Sequence, residues 1–181
     1  MSPGIDRTRT LRGAACGAAA AGLWALQQPL DKRAFSSAYD DVELLGRAVT
    51  REEGWMAVGL AVHLANGAAF GALYAVLAPS MPIPRVLRGP VVGLVEHVAL
   101  WPLGALSDRW HPARDDLPRL KGNRAAFAQA TWRHLLFGLV LGELERRVNV
   151  EPEAAPPQPS ADYSTNGHGQ LEHAVTVQPA P

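Results

Sequence analysis

Three of the chain's four apolar stretches carry a histidine tied to two glycines at intervals of four residues: His63 with Gly67 and Gly71, Gly89 and Gly93 with His97, and His134 with Gly138 and Gly142. Residues four apart share one face of an α-helix, so each imidazole stands on the same stripe as the residues that let another backbone approach closely. The remaining stretch repeats the spacing with Gly13, Gly17 and Ala21. Close helix-to-helix packing is therefore expected, with the histidines aimed at partner helices and away from lipid.

The overall composition, 48% hydrophobic with 17 basic and 17 acidic residues, resembles that of a soluble protein. That average conceals a segregated chain, because the charges lie mostly outside the apolar stretches. Four spans are expected, at about 13–30, 55–78, 86–106 and 125–142, giving an all-α, four-helix integral membrane bundle over residues 1–150. The stretch Trp55 to Ala78 is the most continuous, broken only by His63 and Asn66. At about 1.5 Å per residue it reaches roughly 36 Å, enough for a hydrocarbon layer of about 30 Å. Pro79, Pro82 and Pro84 then force a short connection, which makes the second and third spans antiparallel neighbours. Trp101-Pro102 should kink or break the third. The fourth holds Gln129, Thr131, Arg133 and His134, and inserts only if its polar stripe is covered by other helices.

The first stretch follows Arg7, Arg9 and Arg12 and contains Ala-x-Ala patterns, as a secretory signal peptide would. Its small-residue spacing matches that of the later helices, so a retained helix is expected. The lone Cys16, set among alanines and glycines, reads as a small packing residue and excludes an intramolecular disulfide. Residues 31–54 and 107–124 are charged connections. Within the first, residues 42–49 read as a short interfacial helix; within the second, His111 to Lys121 reads as a surface loop. Trp55, Trp101 and Trp110 fall near span ends, where interfacial anchors are expected. Residues 151–181, rich in proline and polar residues, read as a disordered tail in which His168 and His173 are solvated.

If the four helices alternate in direction, His63, His97 and His134 all come to lie roughly 12–15 Å from one surface. Asn66, Glu96 and Arg133 lie toward the same side, with Gln27, Gln28, Asp31 and Asp108 near its rim. An ionisable group within a span is costly unless it is paired or hydrated, so this cluster is the candidate site. Arg133 is the natural charge partner of Glu96, with His63 or His134 as alternatives. The favoured role is a polar network that orients helices, in a structural or partner-binding protein. A proton or small-solute path through Glu96 and the histidines is one alternative. A metal or haem site on the imidazoles is another, although no usual ligand spacing is present. The residues specify no catalytic set, no metal-ligating set and no cofactor. Ser107 beside Asp108 is too little for a nucleophilic triad.

Zero net charge provides no field for nucleic acid. The expected partners are the bilayer and a second copy or another membrane protein. Seven arginines (7, 9, 12, 85, 88, 146 and 147) lie on one side and nine basic residues on the other, so the count alone does not settle orientation; the clustering of the seven against span ends favours both termini in the cytoplasm. The motifs at His63 and His134 superpose under a shift of 71 residues, as a duplicated hairpin would, while Pro29-Leu30 and Pro102-Leu103 require 73.

One further pattern spans residues 55–148. It runs from His63 through Gly71-x-x-Tyr74, a proline turn, Gly89-x3-Gly93, His97 and Trp101-Pro102-Leu103-Gly104 to His134, and closes on Glu143, Arg146 and Arg147. In this order of features the chain resembles the YagU-like family of small bacterial inner-membrane proteins. The resemblance implies a multi-pass inner-membrane protein and carries no catalytic residues. Residues 31–54 lack the proline-rich segment of that family.

Overall fold

Helix α1, Arg7–Ala34, begins where the Asp6 carboxylate accepts a hydrogen bond from the Arg9 backbone N–H at 3.1 Å, satisfying one of the donors a helix start leaves open. It runs through Pro29 and ends at Phe35, so it is longer at both ends than the expected span of 13–30. Its buried residues, Gly13, Cys16, Gly17, Ala20, Ala21, Trp24, Gln28 and Asp31, recur every three or four positions and form one stripe. Small residues occupy the first half of that stripe, and Trp24, Gln28 and Asp31 the second.

The computed structural model describes residues 6–150. The chain divides into two units, 1–151 and 152–181; the second, with the expected disordered tail and its His168 and His173, lies outside the described residues. Among the described residues the protein is all-helical, with α1 followed by α2 (Asp41–Val49), α3 (Trp55–Leu77), α4 (Arg85–Leu100), α5 (Gly104–Trp110) and α6 (Arg124–Val148). Short 3₁₀ turns follow α3 at Ala78–Ser80 and α4 at Trp101–Leu103, each with a proline at its start. The second is the break expected from Trp101-Pro102.

Glycine-on-glycine crossings set the arrangement. α1 packs on α3 and α6, and α4 packs on α6. A Cβ added at Gly17 would strike the Gly67 carbonyl and the Gly71 Cα; one at Gly89 would strike the Gly138 carbonyl and the Gly142 Cα. The glycines thus meet backbone to backbone, which any side chain would prevent. Despite the short proline connection, the extensive contacts of α3 run to α1 and α2, and those of α4 to α6. The expected direct pairing of the second and third spans therefore gives way to a cavity that both helices line.

The helix expected at 42–49 is α2, started by the Asp40 carboxylate accepting from Glu43 N–H at 3.0 Å. It packs on α3, where a Cβ on Gly46 would hit the Trp55 carbonyl and one on Gly59 the Val42 carbonyl. The run His111 to Lys121 is more than a surface loop. Its Ala113 and Leu120 are buried, His111 Nε2 donates to the Leu44 carbonyl at 2.9 Å, and the Asp108 carboxylate accepts from Leu120 and Lys121 N–H at 2.7 and 2.8 Å.

Two helical stretches, Trp55–Ser80 and Arg85–Trp110, are long and apolar enough to cross a membrane. Only 28% and 17% of their most apolar windows is buried within the chain, which leaves outward faces such as Leu73, Leu77, Val91, Val95 and Val98 uncovered.

Candidate functional site

At the end of the bundle where α1 stops and α6 starts, charges are buried in numbers a small helical protein carries only when they are paired. Arg133 is wholly buried and makes a two-pronged contact with Asp31: its Nε donates to Oδ2 and its Nη2 to Oδ1, both at 2.6 Å. Nη1 donates to Asp41 Oδ2 at 2.5 Å, and Nη2 also reaches the Tyr39 carbonyl at 3.2 Å. Gln129, one turn earlier on the same stripe of α6, donates to Asp31 Oδ1 at 2.6 Å, and Gln27 donates to Oδ2. Asp41 further accepts from the Tyr39 hydroxyl at 2.5 Å and from the Trp24 indole N–H at 3.1 Å. Burial, followed by the nearby Asp41 carboxylate, pushes the Tyr39 phenol well above its ordinary pKa.

The expected Glu96–Arg133 pair is therefore not made. Consecutive helix residues point about 100° apart: Arg133 faces α1 and α2, while His134 faces α4 and takes Glu96, with Nε2 to Oε2 at 3.1 Å. His134 was the alternative partner. Its Nδ1 donates to the Ala130 carbonyl at 2.8 Å, since a carbonyl can only accept. With that N–H committed, a deprotonated Nε2 would place its lone pair against a carboxylate lone pair. The 3.1 Å contact is an ion pair when the imidazole is protonated.

Beside this pair His97, 2% exposed, stacks on His134 with ring centroids 4.8 Å apart and touches Phe127 and Trp101. Thr131 Oγ1 donates its hydrogen to the Phe127 carbonyl, so at 2.9 Å it accepts from His97 Nε2. His63 packs against the edge of Trp24, which also packs against His134, and His63 Nε2 is buried without a hydrogen-bond partner.

These side chains line a cavity of about 440 Å³ between α1, α3, α4 and α6. Of the six residues expected to converge, His63, Asn66, Glu96, His97 and His134 reach its wall, and Arg133 stands behind it. Leu44, Leu45, Phe70, Leu100 and Phe137 supply much of the rest. Apolar walls with a few convergent polar groups are the usual constitution of a small-molecule site. Ser107 lines the same cavity, whereas Asp108 is committed to the backbone of the 111–121 segment. Among the described residues, no group of three or more His, Cys, Asp or Glu side chains is placed to hold a metal ion. Trp101 contacts Tyr39, His97 and Phe127 and so belongs to this wall, while Trp110 is exposed and Trp55 lies under the Arg47 guanidinium.

Trp24, Tyr39 and Asp41 were not anticipated as site residues. Trp24 had a signal, because it continues the Gly13, Gly17, Ala21 stripe of α1. Tyr39 and Asp41 lie in a charged connection whose path no periodicity specifies. No family model, curated protein or solved structure matches the chain.

Proposed function

We propose that this chain is a multi-pass inner-membrane protein in which α1, α3, α4 with α5, and α6 form a four-helix bundle, and that the cavity between them binds a small, largely apolar molecule. The observation that carries this reading is the 440 Å³ cavity, walled by apolar side chains and furnished with His63, Asn66, Glu96, His97 and His134. Membrane embedding is supported by the two candidate spans and by their uncovered outward faces, which lipid would cover. The arginine-rich end formed by the start of α1, the start of α4 and the end of α6 is assigned to the cytoplasm. Membership of the YagU-like family belongs to the same proposal and rests on the motif order over 55–148.

The test is to fractionate cells expressing the full chain, purify it in detergent and identify by mass spectrometry the small molecules extracted from it. The expected result is membrane-bound protein carrying a compound that is lost in Asn66→Trp, which fills the cavity from an exposed position. Recovery in the soluble fraction overturns the membrane placement, and identical extracts from both proteins overturn the cavity assignment. The contact between Glu96 and His134 in the cavity wall favours a second reading, a proton path through the cavity, which predicts that Glu96→Gln abolishes a pH-driven flux in liposomes.

A further inference from the structure

The two ends of the bundle differ in charge. Residues 31–54 and 103–124, at one end, hold nine basic and nine acidic side chains; residues 6–12, 78–88 and 143–150, at the other, hold seven arginines and three carboxylates, Asp6, Glu143 and Glu145. Glu145 is taken by Arg9 at 2.6 Å. Glu143, near the end of α6, is shared: Arg146 donates to it through Nε and Nη2 at 3.0 and 2.9 Å, and Arg147 through Nε at 2.6 Å. Two guanidinium groups against one carboxylate leave one positive charge, and both arginines are exposed.

Beside these arginines an open groove of about 560 Å³ lies between the start of α4 and the end of α6. α4 contributes Val86 to it, and α6 contributes Leu139, Val140 and Leu144. Gly142 lies in it as well, held against Gly89 by the glycine crossing, and puts no side chain into it. Leu139 stands seven residues before Arg146, about 10 Å further from that end of the bundle. The groove is therefore cationic at the end of α6 and apolar below it, which complements an anionic headgroup above hydrocarbon. Basic pockets between spans on the cytoplasmic side are where such headgroups bind. A second copy seated here about a two-fold axis would instead set these arginines against their own counterparts. Resting on the membrane placement above, we propose that this groove binds an anionic phospholipid, its phosphate held by Arg146 and Arg147 and an acyl chain lying along Val86, Leu139 and Val140.

The experiment mixes the full chain, purified from membranes in detergent, with equal amounts of dioleoyl phosphatidylglycerol and dioleoyl phosphatidylcholine, which share their acyl chains and differ in net charge. Native mass spectrometry then counts the lipids retained. About fivefold more phosphatidylglycerol is expected, the ratio that one uncompensated arginine supplies at a membrane surface. The ratio should fall toward one when Arg146→Gln and Arg147→Gln are combined. It should persist in Arg7→Gln, which lowers the charge of the same end outside the groove. The ratio is read within each variant, so a general loss of folding does not imitate the effect. Val86→Trp, which keeps every charge and fills the groove from an exposed position, should lose the lipid with the melting temperature unchanged. Equal retention of the two lipids by the unaltered protein overturns the inference while the membrane placement stands. A fall in Arg7→Gln as large as in the double variant overturns the groove in favour of diffuse charge, and release of the lipid by inorganic phosphate overturns the phospholipid in favour of a free anion. Lipid kept in Val86→Trp and lost in Asn66→Trp overturns the groove in favour of the cavity, whereas protein that never reaches the membrane overturns the placement itself.

Discussion

Replacing Arg133 with glutamine removes the cation from a place where two carboxylates face it. Asp31 is 2% exposed, and both its oxygens accept from the guanidinium at 2.6 Å; Asp41 accepts from the third nitrogen at 2.5 Å. Gln27 and Gln129 still donate to Asp31 in the variant, and Tyr39 and Trp24 still donate to Asp41. Hydrogen bonding therefore survives in part, but the compensating charge does not. Breaking a buried pair in this way costs about 3–5 kcal/mol, because the partner is left charged and without solvent. Of a total stability of about 5–15 kcal/mol, that is a large fraction.

The assay is denaturant unfolding in a fixed detergent, followed by modification of Cys16, which is buried and the only cysteine in the chain. Asp31→Asn should cost less than Arg133→Gln, since Arg133 retains Asp41. The double variant should fall short of additivity by about 2 kcal/mol, within the range seen for residues in contact. Glu96→Gln, by contrast, removes a half-exposed partner of His134 and should cost about 1 kcal/mol or less, additively with Arg133→Gln. A loss below about 1 kcal/mol for Arg133→Gln, or strong coupling between Arg133 and Glu96 in place of Asp31, would refute the assignment of partners.

Gly17→Val and Gly89→Val should each destabilise by about 2 kcal/mol or more, since the new Cβ meets a facing carbonyl; thermal unfolding with Gly22→Val, a position with more room, as control would show it. The raised pKa of Tyr39 favours its neutral phenol in the folded chain. Its stabilising contribution is thus complete below about pH 10, the unfolded value, and is lost as pH rises through the higher folded one; alkaline unfolding compared with Tyr39→Phe tests this. Asp108→Ala should release the 111–121 segment by removing the acceptor for Leu120 and Lys121 N–H, which faster amide exchange at those residues would report.

How far the chain could be read from its residues depended on whether a contact was local. The helices and their glycine faces follow from four-residue spacing, a property of single segments, whereas bringing His63, Glu96, His97 and His134 to one depth took the further premise that the helices alternate in direction. The choice between Glu96 and His134 or Arg133 followed from neither, because neighbouring positions on α6 diverge by about 100°, and which direction meets α4 depends on where α1 and α2 stand. Asp31 was expected only at the rim of the polar cluster, and Tyr39 and Asp41 lay in a charged connection without a period. They are instead the residues that neutralise Arg133, and this explains how α6 can carry arginine and glutamine on its inward stripe. The charged connection folds over the end of the bundle and supplies the polar partners that neighbouring helices lack. The polar residues of α6 and those of residues 31–41 are therefore one unit, and Arg133 marks α6 as a helix that needs that connection to be placed at all.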